Sequence, residues 1–117
     1  LFCLGISSGV LSRAADVYQY NLKATHNPSN WQGPIWGISN YMVFSGLVKY
    51  GYDKQARQLA ERTIALYGKD LQENGVLHEY YHPESGEGII NPGFQNWNYL
   101  VINMIAWIEK RPLVREF

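Results

Sequence analysis

The stretch Pro34-Ile35-Trp36-Gly37-Ile38-Ser39-Asn40-Tyr41-Met42-Val43-Phe44-Ser45-Gly46-Leu47-Val48-Lys49-Tyr50 decides how the fold is read. Its apolar side chains go nearly all the way round a helical wheel, and a helix that is apolar on every side is one buried on every side. Pro34 suits the first helical position, where a missing N–H costs nothing. Gly51 suits the residue that stops the helix. The sequence therefore predicts an enclosed helix over 34–50.

The pattern changes in kind immediately afterwards. Asp53 reads as an N-cap. Ala56, Leu59, Ala60, Thr63, Ile64 and Tyr67 then recur at i, i+3, i+4 spacing, with Lys54, Arg57, Gln58, Glu61 and Arg62 off that stripe. This is an amphipathic helix with one wet face, and Gly68 is expected to end it. Residues 72–93 are irregular, with turns at Asn74-Gly75 and at His82-Pro83-Glu84-Ser85-Gly86 and an extended run from Val76 to Tyr81 between them. A third helix starts near Asn96 on a stripe of Trp97, Leu100, Val101, Met104, Ile105 and Ile108, and Pro112 stops it. On the N-terminal side, residues 21–33 carry loop chemistry, and Leu1 to Leu4 reads as the end of a truncated buried helix. Enclosed helices alternating with one-side-wet helices are what concentric helical layers require. The expected class is all-α, with a long irregular loop over residues 69–95.

Composition narrows the function. The chain has 117 residues, of which 46% are hydrophobic, a heavy apolar load for that length that suits an excised part of a larger core. The whole of 1–117 is thus expected to be part of one domain. Net charge is zero and no basic stripe occurs, which argues against nucleic acid and anionic membranes as partners. No apolar run reaches the roughly 20 residues of a membrane helix. The lone Cys3 excludes an internal disulfide and a cysteine zinc site, and leans slightly towards a reducing, cytoplasmic compartment. His26, His78 and His82 make no metal set, because the 78/82 pair lies on an extended segment that ends at Pro83. Neither metal nor cofactor is expected.

Two loops carry chemistry, and each leads towards an apolar helix. One is Asn30-Trp31-Gln32-Gly33-Pro34-Ile35-Trp36, followed by Asn40. The other is Glu79-Tyr80-Tyr81-His82-Pro83-Glu84-Ser85-Gly86, followed by Phe94, Asn96 and Trp97. Indole and phenol faces beside amides and a carboxylate describe a sugar site, since aromatic faces cover the C–H faces of a pyranose while polar groups bond its hydroxyls. The bland reading of Glu79 is a solvated loop carboxylate, and Glu73, Glu84 and Glu87 read as ordinary surface acids. The bland reading of Trp36 and Trp97 is core packing, and Asn40 reads as a bridge between helices.

The run Trp31-Gln32-Gly33-Pro34-Ile35-Trp36 with Asn40-Tyr41 resembles the W-[RQ]-G-P-[IV]-W…N-[YW] signature of glycoside hydrolase family 63, and Glu79 to Gly86 resembles that family's E-x-Y-[DN]-P-x-[ST]-G loop. The two motifs stand in the right order, and the resemblance covers about residues 4–108. The family holds processing α-glucosidases and bacterial mannosylglycerate and glucosylglycerate hydrolases. The resemblance implies part of an (α/α)6 barrel and an inverting mechanism, with Glu79 as general base. It also implies that Trp31, Gln32, Gly33, Trp36 and Trp97 line the subsite for the cleaved sugar. The family's general acid is an Asp upstream of this segment, and Asp16, Asp53 and Asp70 match no such motif. The partners so implied are a carbohydrate substrate and the missing N-terminal remainder of the barrel, without which this segment is expected to be inactive. Tyr81, two positions on from Glu79 and on the same face of an extended chain, is a candidate donor beside it. The alternatives are a non-catalytic sugar-binding or structural helical domain, or another barrel glycosidase such as a trehalase. The Gln32-Gly33-Pro34 spelling argues against trehalase.

Overall fold

A computed structural model describes residues 34–114. They run as a short strand β1 (Ile35–Trp36), helix α1 (Gly37–Lys49), helix α2 (Asp53–Asn74), a short strand β2 (Tyr80–Tyr81), a 3-10 turn (Trp97–Leu100) and helix α3 (Val101–Ile108). The described chain is mostly helical, as expected. Trp31, Gln32 and Gly33, with Cys3, Asp16 and His26, lie outside the described residues.

Helix α1 starts three residues later than the proline suggests. Trp36 is extended (φ −109°, ψ 127°) because Ile35 and Trp36 pair antiparallel with Tyr81 and Tyr80, so the helix opens only at Gly37. Its end follows expectation. Gly51 takes φ +80°, and the N–H groups of Gly51 and Tyr52 turn back to the carbonyls of Val48 (3.2 Å) and Leu47 (2.8 Å), a pair of bonds that satisfies the last carbonyls. The all-round burial expected of this helix is not met by the described residues. Gly37, Asn40, Tyr41 and Phe44 face inward, while Met42 is 67% exposed.

Helix α2 corrects the sequence reading in two places. Asp53 is the first helical residue rather than the cap, where its charge still opposes the positive end of the helix. The helix also does not stop at Gly68. It continues to Asn74 and ends at Gly75, which takes φ 72° and donates to Leu71 O (3.0 Å). A mid-helix glycine costs about 1 kcal/mol, and packing outweighs that here, because Leu66, Tyr67 and Asp70 on either side of it are all buried. The expected loop of 69–95 is shorter by those six helical residues, and it contains β2.

Two apolar clusters hold the elements together. Tyr41, Phe44, Ala56, Leu59, Ala60, Leu100 and Met104 join the three helices, with Trp107 standing edge-on to Phe44 (centroids 5.5 Å apart). Ile35, Leu66, Tyr67 and Tyr81 form a second cluster beneath the strand pair. Asn40 bridges α1 and α2 by donating to Thr63 Oγ1 (3.0 Å), whose own hydroxyl donates to Leu59 O (2.8 Å). A buried amide is stable only when partnered in this way.

Candidate active site

The two chemistry-bearing loops meet through the strand pair. The register sets Ile35 opposite Tyr81 and Trp36 opposite Tyr80. Residues directly opposite on a ladder share a face, and the Trp36 ring stacks on Tyr80 with centroids 4.7 Å apart and planes 30° apart. Trp97 leans on Trp36 (5.9 Å), and Phe94 packs on Trp97 (4.8 Å). The result is a continuous aromatic wall drawn from three separate parts of the chain.

Glu79 stands one residue before β2 and is half-buried. Its N–H donates to Ile90 O (3.0 Å), and the Tyr80 carbonyl accepts from Ile89 N–H (3.0 Å). Residues 89–91 thereby lie alongside 79–80. Asn91 Nδ2 donates to Glu79 Oε2. Burial, and secondarily the negative charge of Glu79, push the Tyr80 hydroxyl above its ordinary range, so the phenol stays protonated near the carboxylate. His82 takes part in the turn that follows. Its Nδ1 accepts from the N–H groups of Glu84 (3.2 Å) and Ser85 (3.3 Å), the task an Asp or Asn side chain performs in such turns.

A buried polar network anchors this loop to the helices. Tyr67 donates to Asn98 Oδ1 (2.7 Å), and Asn98 Nδ2 donates to the carbonyls of His78 (2.8 Å) and Phe94 (3.1 Å). His78 N–H donates to the Tyr81 hydroxyl (3.0 Å), which donates in turn to Asp70 Oδ2 (2.8 Å). His78 Nδ1 lies 2.7 Å from the same oxygen, and Asn74 Nδ2 lies 2.7 Å from Asp70 Oδ1. Asp70 is 3% exposed. Burial alone would raise its pKa. The bonds from His78, Asn74 and Tyr81, with the charge of His78, outweigh burial and hold the carboxyl below its usual range. Gly37 lets α1 approach this network: a β-carbon there would stand 1.7 Å from the Tyr67 hydroxyl oxygen and 2.8 Å from Asn98 Oδ1.

The model of the MGH1-like glycoside hydrolase domain of mannosylglycerate hydrolase matches residues 11–97, most of the chain. The chain belongs to this glycoside hydrolase family. The resemblance to family 63 read from the two motifs agrees with it. Among relatives, mannosylglycerate hydrolase MGH1 of Selaginella moellendorffii is 35% identical over 80 residues, covering 68% of this chain and 15% of the relative. Mannosylglycerate hydrolase of Thermus thermophilus is 35% identical over 68 residues, 58% of this chain and 15% of the relative. Alpha-glucosidase 2 of Arabidopsis thaliana is 27% identical over 113 residues, 88% of this chain and 14% of the relative. The chain thus spans about 15% of the length of the mannosylglycerate hydrolases it matches.

Within this glycoside hydrolase domain the sequence-picked residues divide. Trp36 and Trp97 pack together, with Trp36 2% exposed and serving as the floor of the stack, and Glu79 adjoins Tyr80, on which Trp36 stacks. Trp97 is half-buried, and its indole N–H has no hydrogen-bond partner among the described residues. Tyr81 is a correction. It is 0% exposed, packs on Tyr67, and gives its hydroxyl to Asp70. It is therefore a structural strut and does not stand beside Glu79 to touch sugar. Its strand is only two residues long, so alternation within it is set by the partner strand and by Asp70 rather than by Glu79. Asn91 and Asn98 escaped the sequence reading, which also gave Asp70, His78 and Tyr80 no role of their own. The only signal for Asp70 was its position in an unbroken helical pattern once Gly68 is allowed inside the helix. Among the described residues no group of three His, Cys, Asp or Glu stands ready for a metal, and no helix is long and apolar enough to cross a membrane.

Proposed function

We propose that the intact protein is an inverting glycoside hydrolase that cleaves an α-glycosidic bond, and that this segment supplies its general base, Glu79, with part of the sugar pocket. The observation that carries the reading is the β1–β2 pairing, which joins the Trp36 loop to the Glu79 loop. A half-buried carboxylate in the loop that pairs with the Trp36 strand suits a group that activates a water beside a pyranose. Inversion needs a second carboxyl about 6.5–9.5 Å away, with the water between. Asp70 is unsuited to that part, because a buried carboxylate held ionised by three side chains has no proton to give. The acid belongs to the remainder of the domain. The substrate class follows the relatives: the mannosylglycerate hydrolases match at 35% identity and the α-glucosidase at 27%. An α-linked mannosyl- or glucosylglycerate is the first substrate to offer, and a simple α-glucoside the second.

Proton NMR of the first product formed by the full-length enzyme tests the reading. Release of the β-anomer from an α-glycoside is expected, and initial release of the α-anomer would refute inversion. Glu79→Gln in the full-length enzyme is expected to cut turnover by orders of magnitude while leaving the melting temperature in place. Near-wild-type turnover would remove Glu79 from the mechanism.

A further inference from the structure

The segment Ile89–Phe94 runs back beside the Glu79 strand and is bonded to it at several points. Glu79 N–H reaches Ile90 O, Ile89 N–H reaches Tyr80 O (3.0 Å each), and Gly93 N–H reaches Leu77 O (2.8 Å). At the point where this arm passes Glu79, Asn91 takes φ 50°, a left-handed conformation that Asn tolerates better than most residues. Its carbonyl accepts from Phe94 N–H (3.1 Å), closing a turn. Pro92 follows and disfavours an ordinary helical conformation at Asn91. This backbone aims the Asn91 amide at Glu79 Oε2. Among the described residues Glu79 Oε1 takes no hydrogen bond, and the amide is the one side-chain donor that reaches the carboxylate.

We propose that Asn91 is the positioning residue for Glu79: its amide pins Oε2, fixes the plane of the carboxylate, and leaves Oε1 turned to accept the proton of the attacking water. The inference rests on Glu79 being the general base. In the step itself, Oε1 takes one proton from water as the water oxygen bonds to the anomeric carbon and the glycosidic bond breaks. The leaving oxygen receives a proton from the acid in the rest of the domain. Asn91 neither gives nor takes a proton. An off-axis carboxylate loses rate steeply, since a misplacement of about 1 Å costs on the order of a hundredfold.

Three substitutions in the full-length enzyme separate this role from a turn-forming one, with α-mannosylglycerate, α-glucosylglycerate and 4-nitrophenyl α-glucoside as probes. Asn91→Gly suits φ 50° and removes the amide. It is expected to keep the melting temperature and lower kcat by about ten- to a hundredfold, with KM little changed. Asn91→Asp also tolerates that backbone but sets a second carboxylate against Glu79, so it is expected to be the worst of the three, below Asn91→Ala. If Asn91 only forms the turn, Asn91→Gly behaves as wild type and Asn91→Asp is milder than Asn91→Ala, and the proposal is overturned. Should Asn91→Gly fail to fold, the order of the Asp and Ala variants still decides. Glu79→Gln in the same assay separates the two readings. Full activity there, or no hydrolysis of any probe by the wild-type enzyme, sinks the function and the inference together. A dead Glu79→Gln beside a fully active Asn91→Gly sinks the inference alone.

Discussion

Asp70 and Glu79 are two carboxylates nine positions apart in one loop-and-helix unit, and they are treated oppositely. Asp70 ends up inside, with His78, Tyr81 and Asn74 all spent on it. Glu79 stays half open, with a single amide on one oxygen among the described residues. A buried carboxylate with both oxygens bonded is a structural anchor, because any proton it took up would cost it those bonds. A carboxylate held on one side and open on the other can exchange a proton with water. The pair also shows how the anchor serves the open group: His78, which Asp70 holds, is the residue immediately before Glu79.

The comparison predicts a double dissociation. Glu79→Gln in the intact enzyme is expected to lower turnover by about 10²–10⁴-fold, the usual contribution of a general base, with the melting temperature nearly unmoved. Asp70→Ala is expected to do the reverse. It strands the His78 ring and the Tyr81 hydroxyl in the interior and costs about 3 kcal/mol of stability, read as a drop in melting temperature. The pH dependence follows from the lowered pKa of Asp70. A carboxyl with a folded pKa below its unfolded value stabilises fully above the unfolded value, about 4, and loses that contribution as pH falls through the folded value. Acid unfolding curves of wild type and Asp70→Asn should therefore converge at low pH and separate at neutral pH. Curves that stay parallel across that window would remove Asp70 from the anchor role.

Those two carboxylates also mark how far the sequence could be read. The helices were legible because apolar spacing reports them directly, and the Glu79 loop was legible from its motif. Asp70 was not, because Gly68 reads as a stop, and only tertiary burial of Leu66 and Tyr67 carries the helix past it. The strand pair was not, because two-residue strands have no periodicity to detect and exist only where distant partners meet. Asn91 was not singled out, because nothing local to it shows the chain that it passes. Tyr81 was misplaced for the same reason: alternation along the chain says which side chains share a face, and says nothing of what lies on that side.

A steric test of the anchor comes from the opposite element. Gly37→Ala adds one methyl where α1 meets the Tyr67–Asn98 hydrogen bond, against a buried phenol and a buried amide. Tyr67 and Asn98 are both enclosed, so neither side chain has room to retreat. The expected cost is about 2 kcal/mol, within the range for an overpacked interior. Turnover should fall too, because Asn98 carries the His78 carbonyl next to Glu79. An unchanged melting temperature would mean that α1 and the network are less tightly joined than the close approach implies.

The smallest effect is the sharpest discriminator. Tyr81→Phe deletes one hydroxyl that accepts from His78 N–H and donates to Asp70. It leaves the ring to pack on Tyr67. The expected cost is about 1 kcal/mol, the net worth of an ordinary buried hydrogen bond, with KM unmoved because the hydroxyl has no surface to offer a sugar. If Tyr81 instead touched substrate, as its place in the motif suggests, KM would rise several-fold with little change in stability. That outcome would put the Asp70 side of the loop in the pocket and erase the distinction between the two carboxylates. A lower melting temperature at constant KM would leave Asp70 as the anchor and Glu79 as the group that meets water.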